Sequence, residues 1–275
     1  MGINVLSLFD GISCGQVALE RANIDVDRYL ASEIKEDAIK VTVDNYPDTI
    51  QLGDVKNIEV LPIGIDLLIG GSPCQDLSIA MKNRVGLKGK KSELFFEYLR
   101  ILKEVKPRYF LLENVARMSK EDKDIITELM GVEPIRINSK LVSAQLRDRL
   151  YWTNIPGVKQ PKDKGILFKD IITEGYTERE KSRAIKESES RPCISKESLM
   201  KRYNTTGMQT LIFKNKDMDK NEIRILNQVE MERLQTLPEG YTRTLNRNKA
   251  AGCIGDGWTV DVIAHIFKEL KEKFV

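Results

Sequence analysis

Histidine is nearly missing from this chain: His265 is the only one in 275 residues. The four cysteines, Cys14, Cys74, Cys193 and Cys253, lie far apart, with neither metal-ligand spacing nor the spacing of a disulfide framework. Together these shortages argue against a metal site and for a reduced, cytoplasmic protein. Long apolar runs are missing too, so no membrane span is expected. The apolar opening Ile3–Phe9 runs straight into Asp10-Gly11, which is not the pattern of a signal peptide. The chain also has no internal repeat and no low-complexity tract.

What is present describes an ordinary globular chain, 41% apolar and 31% charged, long enough for one large domain or two unequal ones. A net charge of +3 is too small to announce a nucleic-acid partner by itself. Between Lys159 and Glu222, fifteen Lys/Arg stand against eleven Asp/Glu, which describes a solvated surface as readily as a DNA-facing one.

Apolar runs and helical spacing alternate through the first part. Strands are expected at Ile3–Phe9, Arg28–Glu33, Asp66–Ile69, Tyr109–Glu113, Ile135–Ile137 and Leu150–Thr153. Helices are expected at Cys14–Ala22, Lys35–Tyr46, Glu93–Val105 and Lys120–Met130. This alternation predicts an α/β fold with a doubly wound, mostly parallel sheet. After Pro156-Gly157, turn formers and charges take over until about Asn221, which reads as a small, irregular second lobe. Regular patterning returns in Ile223–Leu237, and Thr259–Phe274 reads as a closing amphipathic helix. The expected division is 1–157 for the main domain, 158–249 for the small one, and 250–275 for a segment returning to the first.

Cys74 follows the apolar run Leu67-Leu68-Ile69-Gly70, at the end of a strand where open α/β sheets place their ligands. An isolated cysteine is usually a small buried residue. Here Pro73 stiffens the backbone, and Gly70 and Gly71 let a ligand approach closely, so Cys74 is a candidate nucleophile. Phe9-Asp10-Gly11-Ile12-Ser13-Cys14-Gly15 joins a strand to a helix whose first N–H groups are free. Glu33 ends the second strand, where a carboxylate can accept from ribose hydroxyls. A strict Gly-x-Gly-x-x-Gly is absent, and Asp10 would repel a pyrophosphate, so a ligand with ribose but no phosphate fits better. S-adenosylmethionine is such a ligand, with Asp10 near its ammonium group and Asp54 near the adenine amino group. Taken singly, each acid is more often a cap, a turn or a solvated residue; their order at successive strand ends is what raises them.

Glu113 and Asn114 follow another buried strand; a carboxylate there can be shared with a base ring nitrogen, or the pair can simply cap a helix. Gln145, Arg147 and Arg149 fall at every second position, which places them on one face of an extended segment. Two arginines aimed at a cleft can steer an anionic substrate, and a surface ion-pair cluster is the plain alternative. Arg84, Lys88, Lys90 and Lys91 follow Cys74 in a glycine-containing loop suited to phosphate contacts or to plain solvation.

The ordered set FDGISCG, SEI, GDV, GGSPCQDLS, ENV, QLRDRLYW, ERLQTLPEGY and IGDGWTVDVIAHI resembles the DNA cytosine carbon-5 methyltransferase family over nearly the whole chain. NVLSLFDGIS, YLASEIKEDAI and VSAQLRDRLYWTNIPG are most similar to its de novo-type branch, in the form of a compact prokaryotic or phage enzyme. The resemblance implies a class I S-adenosylmethionine-dependent methyltransferase fold, with the small lobe as target-recognition domain. It implies that Cys74, as thiolate, attacks carbon 6 of a cytosine flipped out of duplex DNA. Glu113 would bind the ring nitrogen and exocyclic amine, with Arg147 and Arg149 positioning the base. Phe9, Asp10, Gly11, Ile12, Glu33, Ile34, Asp54, Val55 and Trp258 match cofactor-pocket positions. Ser78, Arg84, Lys88, Lys90, Lys91 and Gln145 are expected at the DNA. The thiol needs an electropositive setting to ionise, which the arginines can supply.

Two positions depart from the family pattern: Ser13 stands where a second glycine is common, and Asp256 where asparagine is usual. Three other readings compete. A tRNA methyltransferase of the same family is disfavoured because the small lobe lacks that branch's Cys-Phe-Thr signature. A silent DNA- or cofactor-binding regulator would not need Cys74, Glu113 and Arg147. A nicotinamide-dependent oxidoreductase is disfavoured by Asp10 and the missing glycine pattern. The sequence is compatible with a homo-oligomer and with a restriction endonuclease partner, and specifies neither.

Overall fold

The computed structural model describes residues 2–59, 63–73, 93–191, 195–205, 207 and 209–273. The chain divides into two compact units, the first made of Met1–Ile137, Asp148–Gln160 and Ile263–Val275, the second of Asn138–Arg147 and Pro161–Val262.

Strands and helices alternate as β1 (Ile3–Leu8), α1 (Cys14–Arg21), β2 (Val26–Ser32), α2 (Glu36–Asn45), β3 (Ile50–Gln51), β4 (Leu67–Gly71), α3 (Glu93–Val105), β5 (Tyr109–Val115), α4 (Lys120–Met130) and β6 (Ile135–Asn138). The short β7 (Gln145–Leu146) precedes β8 (Asp148–Thr153). Among the described residues the first unit carries a seven-stranded sheet in the order β3-β2-β1-β4-β5-β8-β6. β1 runs parallel to β2 and β4, β2 to β3, and β4 to β5, while β8 is antiparallel to β5. The chain winds outward from β1 to β3, then starts again at β4 on the other side of β1. The ends of β1 and β4 therefore flank the switch point, where such sheets bind ligands.

The central strands are apolar at consecutive positions because both their faces are covered. Leu67, Leu68 and Ile69 of β4 and Leu111 and Leu112 of β5 are fully buried, as are Phe95, Tyr98 and Ile101 of α3. Gly70 is required by this packing. A Cβ there would lie 2.9 Å from the Leu8 carbonyl oxygen and 3.0 Å from the Tyr98 ring. β5 extends to Val115, so Glu113 and Asn114 belong to the strand rather than to the turn after it.

The second unit contains β9 (Ser182–Arg183), α5 (Lys196–Thr205), β10 (Ile212–Phe213), β11 (Ile223–Arg224), α6 (Gln228–Leu234) and α7 (Arg247–Asp256), and the start of α8 (Val260–Phe267), which carries the chain back into the first unit. Its strands form two small ladders, β10 with β11 and β7 with β9. Leu199 and Tyr203 of α5 pack on Leu211, Phe213 and Ile223 in a core of their own. The Lys181 ammonium donates to the carbonyls of Lys140, Ser143 and Ile166, tying the 138–147 segment to the rest of the unit. α7 is absent from the sequence expectations because its glycines lower helix propensity. They serve packing instead: a Cβ on Gly255 would come within 2.5 Å of the Lys186 backbone. The closing helix is shorter than expected, with 3-10 turns over Lys268–Lys273. Among the described residues no helix is long and apolar enough to cross a membrane.

The contact at Gly70 yields a direct test. Gly70→Ala should cost about 1–3 kcal/mol, since neither strand backbone nor a packed ring can give way. Gly64→Ala, with nothing within 4 Å of its added methyl, should stay within about 0.5 kcal/mol. Denaturant unfolding of the two variants checks this; equal losses would contradict it.

Candidate active site

Three loops meet at the C-terminal ends of β1, β2 and β3, and the end of β2 joins them. The Asp10 N–H donates to the Ser32 carbonyl at 3.1 Å, and the Leu52 N–H to the Ala31 carbonyl at 2.8 Å. Ser32 Oγ donates to the Gly53 carbonyl at 2.8 Å. Glu33 accepts the Gly11 N–H on Oε2 and the Ile34 and Lys35 N–H groups on Oε1. Asp54 caps the turn that follows it, accepting the Lys56 N–H at 3.0 Å on Oδ1. Asp10, Gly11, Glu33 and Asp54, all expected around a cofactor, thus belong to one connected set of strand ends in the first unit. Ile34 stands exposed beside Glu33, at 67%. Ile12 and Val55 are buried, and Phe9 packs against the apolar core below.

The first loop is a strained turn. Phe9, Gly11 and Ser13 have φ of 57°, 62° and 53°, in the left-handed region that suits glycine. Asp10 sits at its centre, and burial pushes its carboxyl up to about 6, with a smaller push from the like charge of Glu33. Hydrogen bonds from Ser13, Ser7 and Tyr29 work in the opposite direction. Between the ordinary value of 3.8 and about 6, the folded chain keeps a proton that the unfolded chain has released. Stability therefore falls as pH rises through that window, and the ionised carboxylate is retained at a cost to folding.

A second cluster lies where β4 and β5 end together. Gly71 is in register with Glu113, so the strand that leads toward Pro73 runs beside the strand that carries the acid. Glu113 faces Tyr151 across the antiparallel β5–β8 ladder, and Arg149 lies opposite Val115. That diagonal places both charges on one face. Arg149 Nε meets Glu113 Oε1 at 2.6 Å, with both side chains mostly buried. On the opposite face the Asn114 amide donates to the Ser72 carbonyl at 3.2 Å and to its hydroxyl at 3.1 Å. Both residues are buried, and the contact joins the two strand ends. Asn114 read from sequence only as a cap; its place beside Glu113 was the available signal.

Gln145 and Arg147 belong to the second unit and Arg149 to the first. Gln145 is completely buried in the second unit, where its amide donates to the Leu234 carbonyl and its oxygen accepts the Ile185 N–H. Arg147 donates to the carbonyls of Ile185, Gly255 and Gly257, at 3.0, 3.1 and 2.9 Å. The shared face holds for Gln145 and Arg147, which both bond the Ile185 backbone, while Arg149 belongs to β8 of the first unit, the boundary falling between Arg147 and Asp148. Trp258 is half-buried in the second unit, while Asp256 is exposed at the end of α7. Cys74, Ser78, Arg84, Lys88, Lys90 and Lys91 lie outside the described residues. Among the described residues no group of His, Cys, Asp and Glu is arranged to hold a metal ion.

Comparison with known proteins agrees with this architecture. The model of the C-5 cytosine-specific DNA methylases matches residues 3–133 and 137–272. An orphan methyltransferase of Bacillus phage rho11s is 33% identical over 189 residues, covering 63% of this chain and 37% of the phage protein. The DNA (cytosine-5)-methyltransferase DRM2 of Arabidopsis thaliana is 41% identical over 122 residues, covering 39% of this chain and 20% of the plant protein. The chain thus spans less than half the length of these relatives. The solved structure of the Entamoeba histolytica methyltransferase EhMeth superposes with a TM-score of 0.73 at 16% identity, over 100% of this chain and 99% of that one, which shows a shared fold. With the family match running through nearly every residue from 3 to 272, the chain belongs to the C-5 cytosine-specific DNA methylase family.

Proposed function

We propose that this protein transfers a methyl group from S-adenosylmethionine to carbon 5 of a cytosine in double-stranded DNA. The observation that carries this reading is the Glu113–Arg149 pair, set in register with the end of the strand that leads to Cys74. A positioned acid beside a nucleophile is what addition to a pyrimidine ring requires.

The strand-end loops fit the cofactor. Their acids, Asp10, Glu33 and Asp54, suit a nucleoside with a cationic amino-acid arm and oppose a pyrophosphate, and exposed Ile34 offers an apolar surface for a base. When bound, S-adenosylmethionine supplies the methyl group, carried on a sulfonium that makes it electrophilic. Glu33 is suited to the ribose hydroxyls, Asp54 to the adenine amino group and Asp10 to the ammonium group, with Phe9 and Gly11 shaping the loop.

Cys74 adds as thiolate to carbon 6 of the flipped cytosine, forming a sulfur–carbon bond and shifting electron density to carbon 5. Glu113 holds the ring nitrogen and the exocyclic amine, and Arg149 fixes that carboxylate in place. Carbon 5 becomes the methyl acceptor. Its proton then leaves to a base, and the electron pair left behind expels Cys74 and restores the ring. We assign Arg147 and Gln145 to the frame of the second unit, since both hydrogen-bond its backbone. The second unit and the basic residues Arg84, Lys88, Lys90 and Lys91 after Cys74 are proposed to engage the duplex, and the scattered cysteines favour a reducing, cytoplasmic setting.

Labelled S-adenosylmethionine, offered with duplex DNA or with tRNA, tests the reading. Label should enter DNA as 5-methylcytosine with the wild type and not with Cys74→Ser; label in tRNA alone would overturn it. Glu113→Gln should lower turnover about 10²- to 10⁴-fold while duplex binding persists in a mobility-shift assay. Arg147→Met should instead act on folding, costing roughly 3 kcal/mol or more by orphaning buried carbonyls. Full stability in that variant, measured by denaturant unfolding, would remove Arg147 from the frame.

A further inference from the structure

The first loop carries a hydrogen-bond system that neither the family match nor the cofactor assignments explain. Asp10 Oδ1 accepts from the Tyr29 hydroxyl at 2.8 Å, and Oδ2 accepts from the Ser13 hydroxyl. Tyr29 comes from β2 and is 4% exposed; Ser13 is fully buried. The direction of the Ser13 bond follows from its neighbours. Thr42 Oγ1, buried on α2, lies 3.2 Å from Ser13 Oγ and 3.4 Å from the Gly11 carbonyl. Gln16 Nε2 lies 3.3 Å from the same serine oxygen and 2.8 Å from Thr49 Oγ1. Gln16 supplies an amide N–H to Ser13 Oγ, and the one Thr42 hydroxyl hydrogen is shared between that oxygen and the Gly11 carbonyl. An ionised carboxylate only accepts, so the hydrogen of Ser13 goes to Asp10.

Both oxygens of Asp10 therefore face O–H donors, an arrangement satisfied by the carboxylate and frustrated by the acid. Among the described residues the titratable groups facing Asp10 are Tyr29 on β2 and Glu33 beyond its end. Glu33 repels the charge and burial opposes it, so the hydroxyls are what favour it. Ser13 also accounts for its own strained position. With φ of 53° it pays a backbone cost that glycine would avoid, and it returns a hydroxyl aimed at Asp10.

We propose that Tyr29 and Ser13 are positioning residues for the cofactor's ammonium group: they hold Asp10 ionised and fixed at the mouth of β1, with Thr42 and Gln16 orienting the Ser13 hydroxyl. This rests on the reading of Asp10 as the ammonium's partner. It makes the serine in place of the family's usual glycine a compensated exchange, in which backbone freedom is traded for a donor.

Calorimetric titration with S-adenosylmethionine between pH 5 and 8 tests the proposal on the wild type, Tyr29→Phe, Ser13→Gly and Asp10→Asn. 5′-Methylthioadenosine, which lacks the amino-acid arm, serves as second probe. Wild-type affinity for S-adenosylmethionine should weaken as pH falls through about 6. Tyr29→Phe should move that pH transition up by about one pH unit, the loss of one hydrogen bond to a charged group, and so raise the Kd about twofold at pH 7 and about fivefold at pH 6. Ser13→Gly should move it the same way without added backbone strain, so a folding failure of one variant leaves the other as the test. Methylthioadenosine should bind all four proteins alike. Wild-type pH profiles in Tyr29→Phe and Ser13→Gly, with Asp10→Asn impaired, would overturn the positioning role alone. Wild-type affinity in Asp10→Asn would overturn the reading of Asp10 on which it rests.

Discussion

Glu113 and Arg149 meet only because three strands hold a fixed register. β5 lies parallel to β4, which sets Gly71 beside Glu113, and antiparallel to β8, which sets Arg149 on the diagonal from Glu113. A slip of one residue in the second ladder would turn Arg149 to the opposite face and leave a mostly buried carboxylate without its cation. The register is protected by full burial of Leu111, Leu112 and Trp152, and by the Gly70–Tyr98 contact that seats β4 on α3. Asn114 adds a lock at the strand ends through Ser72. The chemistry at this edge thus depends on sheet packing several residues below it.

The two clusters use backbone and charge differently. At β4 and β5 an ion pair compensates a carboxylate that is mostly removed from water. At β1 the hydroxyls of Ser13, Ser7 and Tyr29 support Asp10, while burial and the like charge of Glu33 raise its carboxyl. Two non-glycine residues in left-handed conformation, Phe9 and Ser13, add strain to the same turn, on the order of 1–3 kcal/mol each. Strain and a poorly compensated charge are thus concentrated in five residues at the switch point.

The central sheet was legible in the sequence because its strands are short, continuous apolar runs and the helices between them amphipathic, while the two-residue β3 was too short to read. The spans predicted for Glu93–Val105 and Lys120–Met130 are those observed. α5 and α7 were not legible, since one is strongly polar and the other carries glycines selected for packing. Among the candidate residues, the positions of Asp10, Glu33, Asp54 and Glu113 at or just after strand ends were legible from the runs before them. Alternation placed Gln145 and Arg147 together at Ile185, while the change of unit after Arg147 was not legible, because it follows from contacts between segments distant in sequence. The contacts of Tyr29, Thr42 and Asn114 were not legible, because they join segments distant in sequence or neighbouring strands.

The central claim is that the edge formed by β4, β5 and β8 serves a covalent addition to cytosine, and trapping that adduct measures it most directly. Duplex DNA containing 5-fluorocytosine, incubated with the protein and S-adenosylmethionine, blocks release because fluorine cannot leave carbon 5 as a proton does. The account predicts a stable protein–DNA adduct whose peptide mass maps the link to Cys74. An adduct on another residue, or methyl transfer to ordinary duplex with no adduct on the fluorinated one, would contradict it.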